Sequence, residues 1–345
     1  MKNVLKVVLV IIGTLIGAGF ISGQEMYTFF YSYGKYGLLG LFVCSCLISF
    51  IIYKTFKIIV EKNIIDYKQF LNILNKKSKK EHFNLAYITN VIINIFIFIT
   101  FCIMISGFGT YFSQEIGINS LIGSSILAII CFIILMGNVR RIVKANEMLV
   151  PIIIIFIFFI GVYNFAILDL SDLENCFIKA NNGNWLISSI LYSSYNIILL
   201  VPVLITLKKY IKNKKEIKNI SIISGIIIFL LSTILFLLLS QINKDIQNIE
   251  MPIAYVVSEC LPKLKKIYGA VILISIFTTA LSLGISFLKN IAKNQKSYTQ
   301  IAIIMCITSV ILSQFGFSNL INLLYPIFGV LGLVQIVNII FYKLY

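Results

Sequence analysis

Glu25 is a carboxylate set in an apolar run, and that placement has chemical consequences. It closes the stretch GTLIGAGFISGQE, Gly13 to Glu25, and is the only acid placed away from the ends of the long apolar segments of this chain. Acids at such depth are costly and mark ion paths or ligand counter-ions. No Lys or Arg stands at the same depth to pair with it. Burial disfavours the charged form of an acid, which suits a proton carrier. Attraction of an amino group and service as an outer gate fit the same position, and so does a water-exposed acid at the rim of a vestibule. Gln24, beside it, can share its hydrogen bonds.

Upstream, Gly17-Ala18-Gly19-Phe20 falls near the middle of the same segment. Each glycine costs a helix interior about 1 kcal/mol and lets the backbone open. An opened turn exposes N–H and C=O groups. In hydrocarbon these are tolerated only when buried in protein or satisfied by an ion, water or substrate. Close helix packing through small residues is the other use of such glycines. A second polar patch, Tyr192-Ser193-Ser194-Tyr195-Asn196, lies mid-way through another apolar run, six residues before Pro202. Such a patch either bonds to neighbouring helices or lines a wet cavity, and its place opposite the Gly17–Phe20 break favours the cavity.

Other chemistries find little support. The apolar segments hold no paired acids, no metal-spaced histidines and no nucleophile–base set, so an enzyme is not expected. No cofactor is expected beyond a coupling ion. His82 is the sole histidine and falls in a lysine-rich loop. Five of the seven cysteines fall in apolar segments, where Cys acts as a small hydrophobe. Whether the remaining two, Cys176 and Cys260, form a disulfide is left open.

The elements that must position these residues are transmembrane helices. Of the 345 residues 59% are hydrophobic and 12% charged, and the mean hydropathy is +0.98. Apolar runs of about 20 residues, each able to cross roughly 30 Å of hydrocarbon, recur at about 4–32, 37–60, 84–112, 119–137, 146–168, 185–207, 219–241, 267–290, 298–314 and 318–342. The fold class is therefore an all-α polytopic membrane protein with about ten spans. With the N-terminus inside, 23 of the 29 Lys and Arg fall on the inner side and 6 on the outer, as cytoplasmic enrichment of basic residues requires. The formal charge of +16 thus reports topology in a lipid bilayer and not a nucleic-acid partner. The expected location is the cell membrane, multi-pass, with both termini cytoplasmic.

At an offset of 175 residues the two halves match in pattern. Leu149-Val150-Pro151-Ile152 falls on Leu324-Tyr325-Pro326-Ile327, and Gly17–Phe20 falls on Tyr192–Tyr195. Each half holds an odd number of spans, five, so the second enters the membrane from the opposite side. A single transmembrane domain, 1–345, built from inverted repeats of about 1–168 and 176–345 with broken helices 1 and 6, is the expectation; such repeats are a signature of secondary transporters. Between spans 2 and 3, Ile64, Tyr67, Leu71 and Leu74 recur at helical spacing and predict a short helix lying on the membrane surface.

The stretch IGAGFISGQEMYTFFYSYGKYG, with LYSSYN in span 6, resembles the YkvI-type bacterial membrane proteins. Those are similar to the amino acid–polyamine–organocation superfamily, which has the leucine-transporter five-plus-five fold. The resemblance follows span order along nearly the whole chain. It implies a central site between spans 1 and 6 flanked by spans 3 and 8, with Gly17, Ala18, Gly19, Phe20 and Tyr192, Ser193, Ser194, Tyr195, Asn196 as its lining. It further implies a Na+ site of backbone carbonyls at Gly13 and Ile16 with the hydroxyls of Ser275, Thr278 and Thr279, oxygen ligands of the kind a hard cation takes. Those hydroxyls could equally bond to their own helix backbone. The function implied is a secondary active transporter of a small amino acid- or amine-like solute, coupled to H+ or Na+. The alternative is a nutrient or germinant sensor subunit on the same fold, which binds the solute without moving it. The sequence leaves the solute, the direction of movement and the oligomeric state unresolved.

Overall fold

The computed structural model describes residues 2–74, 82–137, 139–165, 183–240 and 249–343. Cys176 and the acids of the loop after span 5 lie outside these residues. In chain order the helices are α1 (Lys2–Leu15), α2 (Ala18–Ser22), α3 (Gln24–Phe29), α4 (Lys35–Glu61), α5 (Tyr67–Leu74), α6 (His82–Tyr111), α7 (Ser120–Leu135), α8 (Val139–Phe165), α9 (Trp185–Leu207), α10 (Lys214–Leu239), α11 (Pro252–Cys260), α12 (Lys265–Ile291), α13 (Gln295–Ser313) and α14 (Phe317–Phe341). No strand occurs among the described residues.

Helix starts follow local chemistry. Asn119, Asn184, Asn213 and Asn294 each accept hydrogen bonds from the first free N–H groups of α7, α9, α10 and α13. These donors have no partner inside the helix, and a short polar side chain satisfies them better than lipid can. Among the described residues seven helices are long and apolar enough to cross a membrane. Shorter apolar helices at Asn3–Leu15, Ser120–Leu135 and Leu149–Tyr163 stand at the positions of spans 1, 4 and 5. The chain is a multi-pass membrane protein.

Two groups of helices pack around α1–α3. On one side α9 lies along α14 and against α4, and α4 lies along α10. On the other, α6 packs on α12, α7 and α13. The short helix α11 lies across α2 and α3 and contacts α10 and α12, so it covers one end of the interrupted segment.

The amphipathic helix expected after span 2 forms as α5, but its apolar face is not given to lipid. Ile64, Phe70 and Leu71 are buried, α5 packs on α6 and α9, and the Tyr67 hydroxyl donates to Gln335 Oε1 of α14 at 3.2 Å. Lys208 Nζ anchors the preceding turn through Asn63 Oδ1 at 2.5 Å and the Ile64 carbonyl at 3.2 Å. The same helical spacing that suits a membrane surface suits a protein surface, and here α6 and α9 supply one.

Candidate functional site

Span 1 is interrupted twice. α1 ends at Leu15 and α2 begins at Ala18. Between them the Gly17 N–H turns to the Leu15 carbonyl at 3.2 Å and not to Gly13, four residues back. Gly17 itself is extended, at φ −94° and ψ −174°. The second interruption is Gly23, at φ +84°, a backbone region that side-chain-bearing residues rarely enter. A Cβ on Gly23 would also stand 2.3 Å from Ile253 Cγ1 of α11. The carbonyl freed near this kink is satisfied: Tyr268 Oη donates to Ile21 O at 2.5 Å. The segment therefore zigzags, with a glycine at each corner.

These corners aim Glu25 inward. Its residue exposure is 3%, so it is not a rim acid. Tyr195 Oη of α9 donates to Glu25 Oε2 at 2.6 Å. The carboxyl lies against Gly19, where an added Cβ would stand 2.4 Å from Oε1; only glycine leaves room for it. Aromatic rings enclose it. The Tyr195 ring lies tilted 4.6 Å from Tyr325 of α14, 5.3 Å from Tyr192 and 5.7 Å from Phe29. The ion pairs among the described residues, Lys214–Glu61 and Lys265–Glu115, lie elsewhere, and no described basic side chain balances Glu25.

Gln24 is buried beside it and donates through Nε2 to Asn322 Oδ1 at 3.3 Å, the same oxygen that Thr28 Oγ1 reaches at 2.6 Å. Gln24 Oε1 has no partner. The pair thus divides: Glu25 turns toward α9, and Gln24 ties α3 to α14.

Span 6 departs from expectation. α9 runs unbroken from Trp185 to Leu207 through the Tyr192–Asn196 patch. The polar side chains there bond back to their own helix: Ser193 Oγ to Ser189 O at 2.8 Å, Ser194 Oγ to Ile190 O at 2.6 Å and Asn196 Nδ2 to Tyr192 O at 3.0 Å. Back-bonding of this kind satisfies polar groups without opening the helix. The broken helix 6 is therefore corrected to a continuous one. The patch also splits by direction. Tyr192 and Tyr195 face Glu25, and Tyr192 and Asn196 share a small void with Ile16 and Phe20 of span 1. Ser193 instead meets Cys44 Sγ of α4 at 3.2 Å, and the Ser194 carbonyl abuts Gly332 of α14. Ala18 and Gly19 are both buried, Gly19 against the Glu25 side chain.

On the α1 side of the break a cavity of about 280 Å³ opens. α1 contributes Leu9, Val10, Gly13 and Thr14; α9 contributes Ile198, Pro202 and Thr206; α12 contributes Thr278, Thr279, Ser282 and Ser286. Pro202 has no N–H, so the Ile198 carbonyl four residues back loses its helical donor at the cavity wall. Near the middle of α12 Ser275 Oγ donates to the Ile16 carbonyl at 3.4 Å, and Thr278 Oγ1 donates to Ser275 O at 3.1 Å. Gly17 and Thr279 are neighbours, the Thr279 methyl lying 4.0 Å from a Cβ built on Gly17. Of the positions read for Na+, Gly13, Thr278 and Thr279 line this cavity, and Ile16 and Ser275 are joined to each other by a hydrogen bond. Among the described residues no group of three His, Cys, Asp or Glu could hold a metal.

Several participants escaped the sequence reading. Asn322 and Tyr325 of α14 and Tyr268 of α12 complete the surroundings of span 1. Asn322 carried a signal, since polar residues inside apolar spans are few, but its partner Gln24 lies 298 positions away. Tyr325 and Tyr268 looked like ordinary membrane aromatics.

No family model matches this sequence. The chain is 28% identical to the uncharacterized membrane protein YkvI of Bacillus subtilis over 336 residues, 94% of this chain and 91% of that protein. It is also 28% identical to the uncharacterized protein YyaD of the same organism over 351 residues, 99% of this chain and 97% of that one. These are its homologues. Among solved structures it is similar to a Na+-coupled sialic acid symporter in a substrate-bound outward-open state, with a TM-score of 0.54 and 12% identity, over 96% of this chain and 76% of that one. It is likewise similar to a manganese transporter of Eremococcus coleocola in complex with an aromatic bis-isothiourea compound, with a TM-score of 0.51 and 15% identity, over 97% and 70%. The fold is the leucine-transporter-like fold, as the resemblance in sequence implied.

Proposed function

We propose that this protein is a secondary active transporter of a small amino acid- or amine-like solute, coupled to H+ or Na+. It works by alternating access around a site between the break in span 1 and the facing side of α9. The observation that carries this reading is Glu25: an acid buried without a basic partner among the described residues, held by Tyr195 at 2.6 Å, beside a segment interrupted twice. A carboxylate so enclosed is stabilised by a proton or a bound cation. It can take up either from one side and release it to the other only if the helices around it move. In this reading Glu25 and Gln24 form the coupling or gating pair. Gly17–Phe20 with Tyr192, Tyr195 and Asn196 contact the solute, and Gly13, Ile16, Ser275, Thr278 and Thr279 take Na+.

The pattern of neighbours supports the inverted repeat. α1 packs on α8 as α9 packs on α14, α1 on α10 as α9 on α4, and α6 on α13 as α12 on α7. The basic bias of the loops puts both termini in the cytoplasm. The 280 Å³ cavity then faces inward, while α11 and the Gln24–Asn322–Thr28 bonds close the outside.

The deciding experiment is reconstitution of the chain alone in liposomes, scoring amino acids, amines and other small organic solutes for H+ or Na+ flux. Solute-dependent ion flux supports the carrier. Saturable binding with no flux under either gradient overturns it and assigns a sensor.

A further inference from the structure

A groove outside this site runs along the membrane-facing seam of α4 and α10, with a volume of about 620 Å³. The two helices are antiparallel. Phe42 meets Phe229 edge-on at 5.9 Å at one end, and Ser49 Oγ donates to Ser221 O at 2.8 Å further along. The floor is built from small residues, Ser45, Ser49, Ser221 and Gly225. Its hydroxyls are spent inside the protein: Ser45 on Leu41 O and Ser221 on Ile217 O. The floor therefore offers methylene surface and no free donor, although serines line it.

Length and charge select the occupant. From Phe42 to Tyr53 the groove follows eleven residues of α4, about 16 Å. That is about half of a hydrocarbon core roughly 30 Å thick, the reach of one acyl chain in one leaflet. One end is closed by the Phe42–Phe229 pair. At the other stand Tyr53 and Lys218. Lys218 is exposed and makes no ion pair among the described residues; the neighbouring Lys214 is held by Glu61 at 3.5 Å. Basic pockets between helices at such an end hold anionic lipid headgroups.

We propose that this seam is a binding site for an anionic phospholipid, with one acyl chain in the α4–α10 groove and the headgroup phosphate at Lys218. The site is separate from the solute path and does not depend on the transport reading.

The test is native mass spectrometry of the full chain released from vesicles of equal parts phosphatidylglycerol and phosphatidylcholine. The expected result is retained phosphatidylglycerol in preference to phosphatidylcholine. Lys218→Gln should cut that preference about fivefold, the worth of one basic residue at a membrane surface. Cys46→Phe, which fills the groove from its open side at an exposed position, should abolish retention without lowering the Tm in lipid-free detergent. Equal retention of the two lipids, or variants that retain lipid like the parent, overturns the proposal. So does displacement of the bound lipid by millimolar inorganic phosphate, which would make this a free-anion site. Bis-maleimide crosslinking of two copies in the bilayer that vanishes in Cys46→Ala would assign the groove to a second copy instead.

Discussion

The sequence pattern pairs spans 1 and 6 at an offset of 175 residues, yet one is broken twice and the other runs straight. Both carry a non-apolar patch at mid-membrane. In span 1 the patch is glycine, which supplies no side chain to hold the helix closed and permits φ +84° at Gly23. In α9 the patch is serine, tyrosine and asparagine, and the Ser193, Ser194 and Asn196 side chains bond to carbonyls one turn back. Polarity and helix weakness are thus separate properties. Glycine opens a backbone; hydroxyls and amides within a helix can satisfy themselves. The asymmetry assigns different work to the two spans. Span 1 brings backbone carbonyls and an acid to the centre, and α9 brings the phenols that receive the acid.

The contrast is broken most severely by removing the acid. Glu25→Gln keeps the volume and the hydrogen bond to Tyr195 but cannot exchange a proton, so solute uptake in liposomes should lose its dependence on external pH altogether. An unchanged pH profile removes Glu25 from coupling. Next in size is Gly23→Ala. The left-handed backbone and the 2.3 Å approach of Ile253 together cost about 1–3 kcal/mol, seen as a lower Tm in detergent, and uptake should fall with it. A Tm equal to the parent would mean that the second corner is soft and not built into the fold.

Tyr195→Phe tests the α9 side of the pair. It deletes the donor to Glu25 and leaves a buried oxygen short of a partner, a loss of about 2 kcal/mol for a bond to a charged or shared-proton group. The measurable sign is a displaced pH midpoint of uptake with the solute KM little changed; a pure KM effect would make Tyr195 a solute contact and nothing more. Thr278→Ala and Thr279→Ala follow. If Na+ sits between α12 and the opened turn, each should raise the Na+ concentration for half-maximal uptake several-fold, with pH dependence intact. Sodium dependence that survives both changes leaves those hydroxyls with a role only in their own helix, the role Thr278 already shows toward Ser275.

These expectations also show what a sequence can carry. Hydropathy runs give the membrane class, and Gly17 and Gly19 give the first opening of span 1, because both are local properties of a few residues; the second corner, at Gly23, shows only in the structure. The asparagine caps at 119, 184, 213 and 294 are local too. The course of α9 is not legible in the same way, because a polar patch in lipid has two solutions, opening or back-bonding, and composition does not choose between them. The α5 helix posed the same difficulty: an apolar stripe predicts burial but not whether lipid or α6 does the burying. The enclosure of Glu25 was out of reach for a different reason. Gly19, Tyr192 and Tyr195 stand out in the sequence, but Tyr325 lies 306 positions from Gly19 and nothing local shows that the four meet around Glu25.

The smallest effect is expected from Ser193→Ala, and it bears most directly on why α9 stays straight. The Ser193 hydroxyl donates to Ser189 O and meets Cys44 Sγ at 3.2 Å, away from Glu25. Ser189 O keeps the backbone donor of a continuous helix when the hydroxyl is lost, so no buried acceptor is orphaned. Alanine is also the better helix former by a few tenths of a kcal/mol. The two changes nearly cancel, and the Tm and uptake should both stay close to the parent, within the ±0.5 kcal/mol of a neutral change. A large loss of uptake at normal Tm would mean that Ser193 turns toward the solute in another state, and that α9 does not stay rigid while span 1 moves.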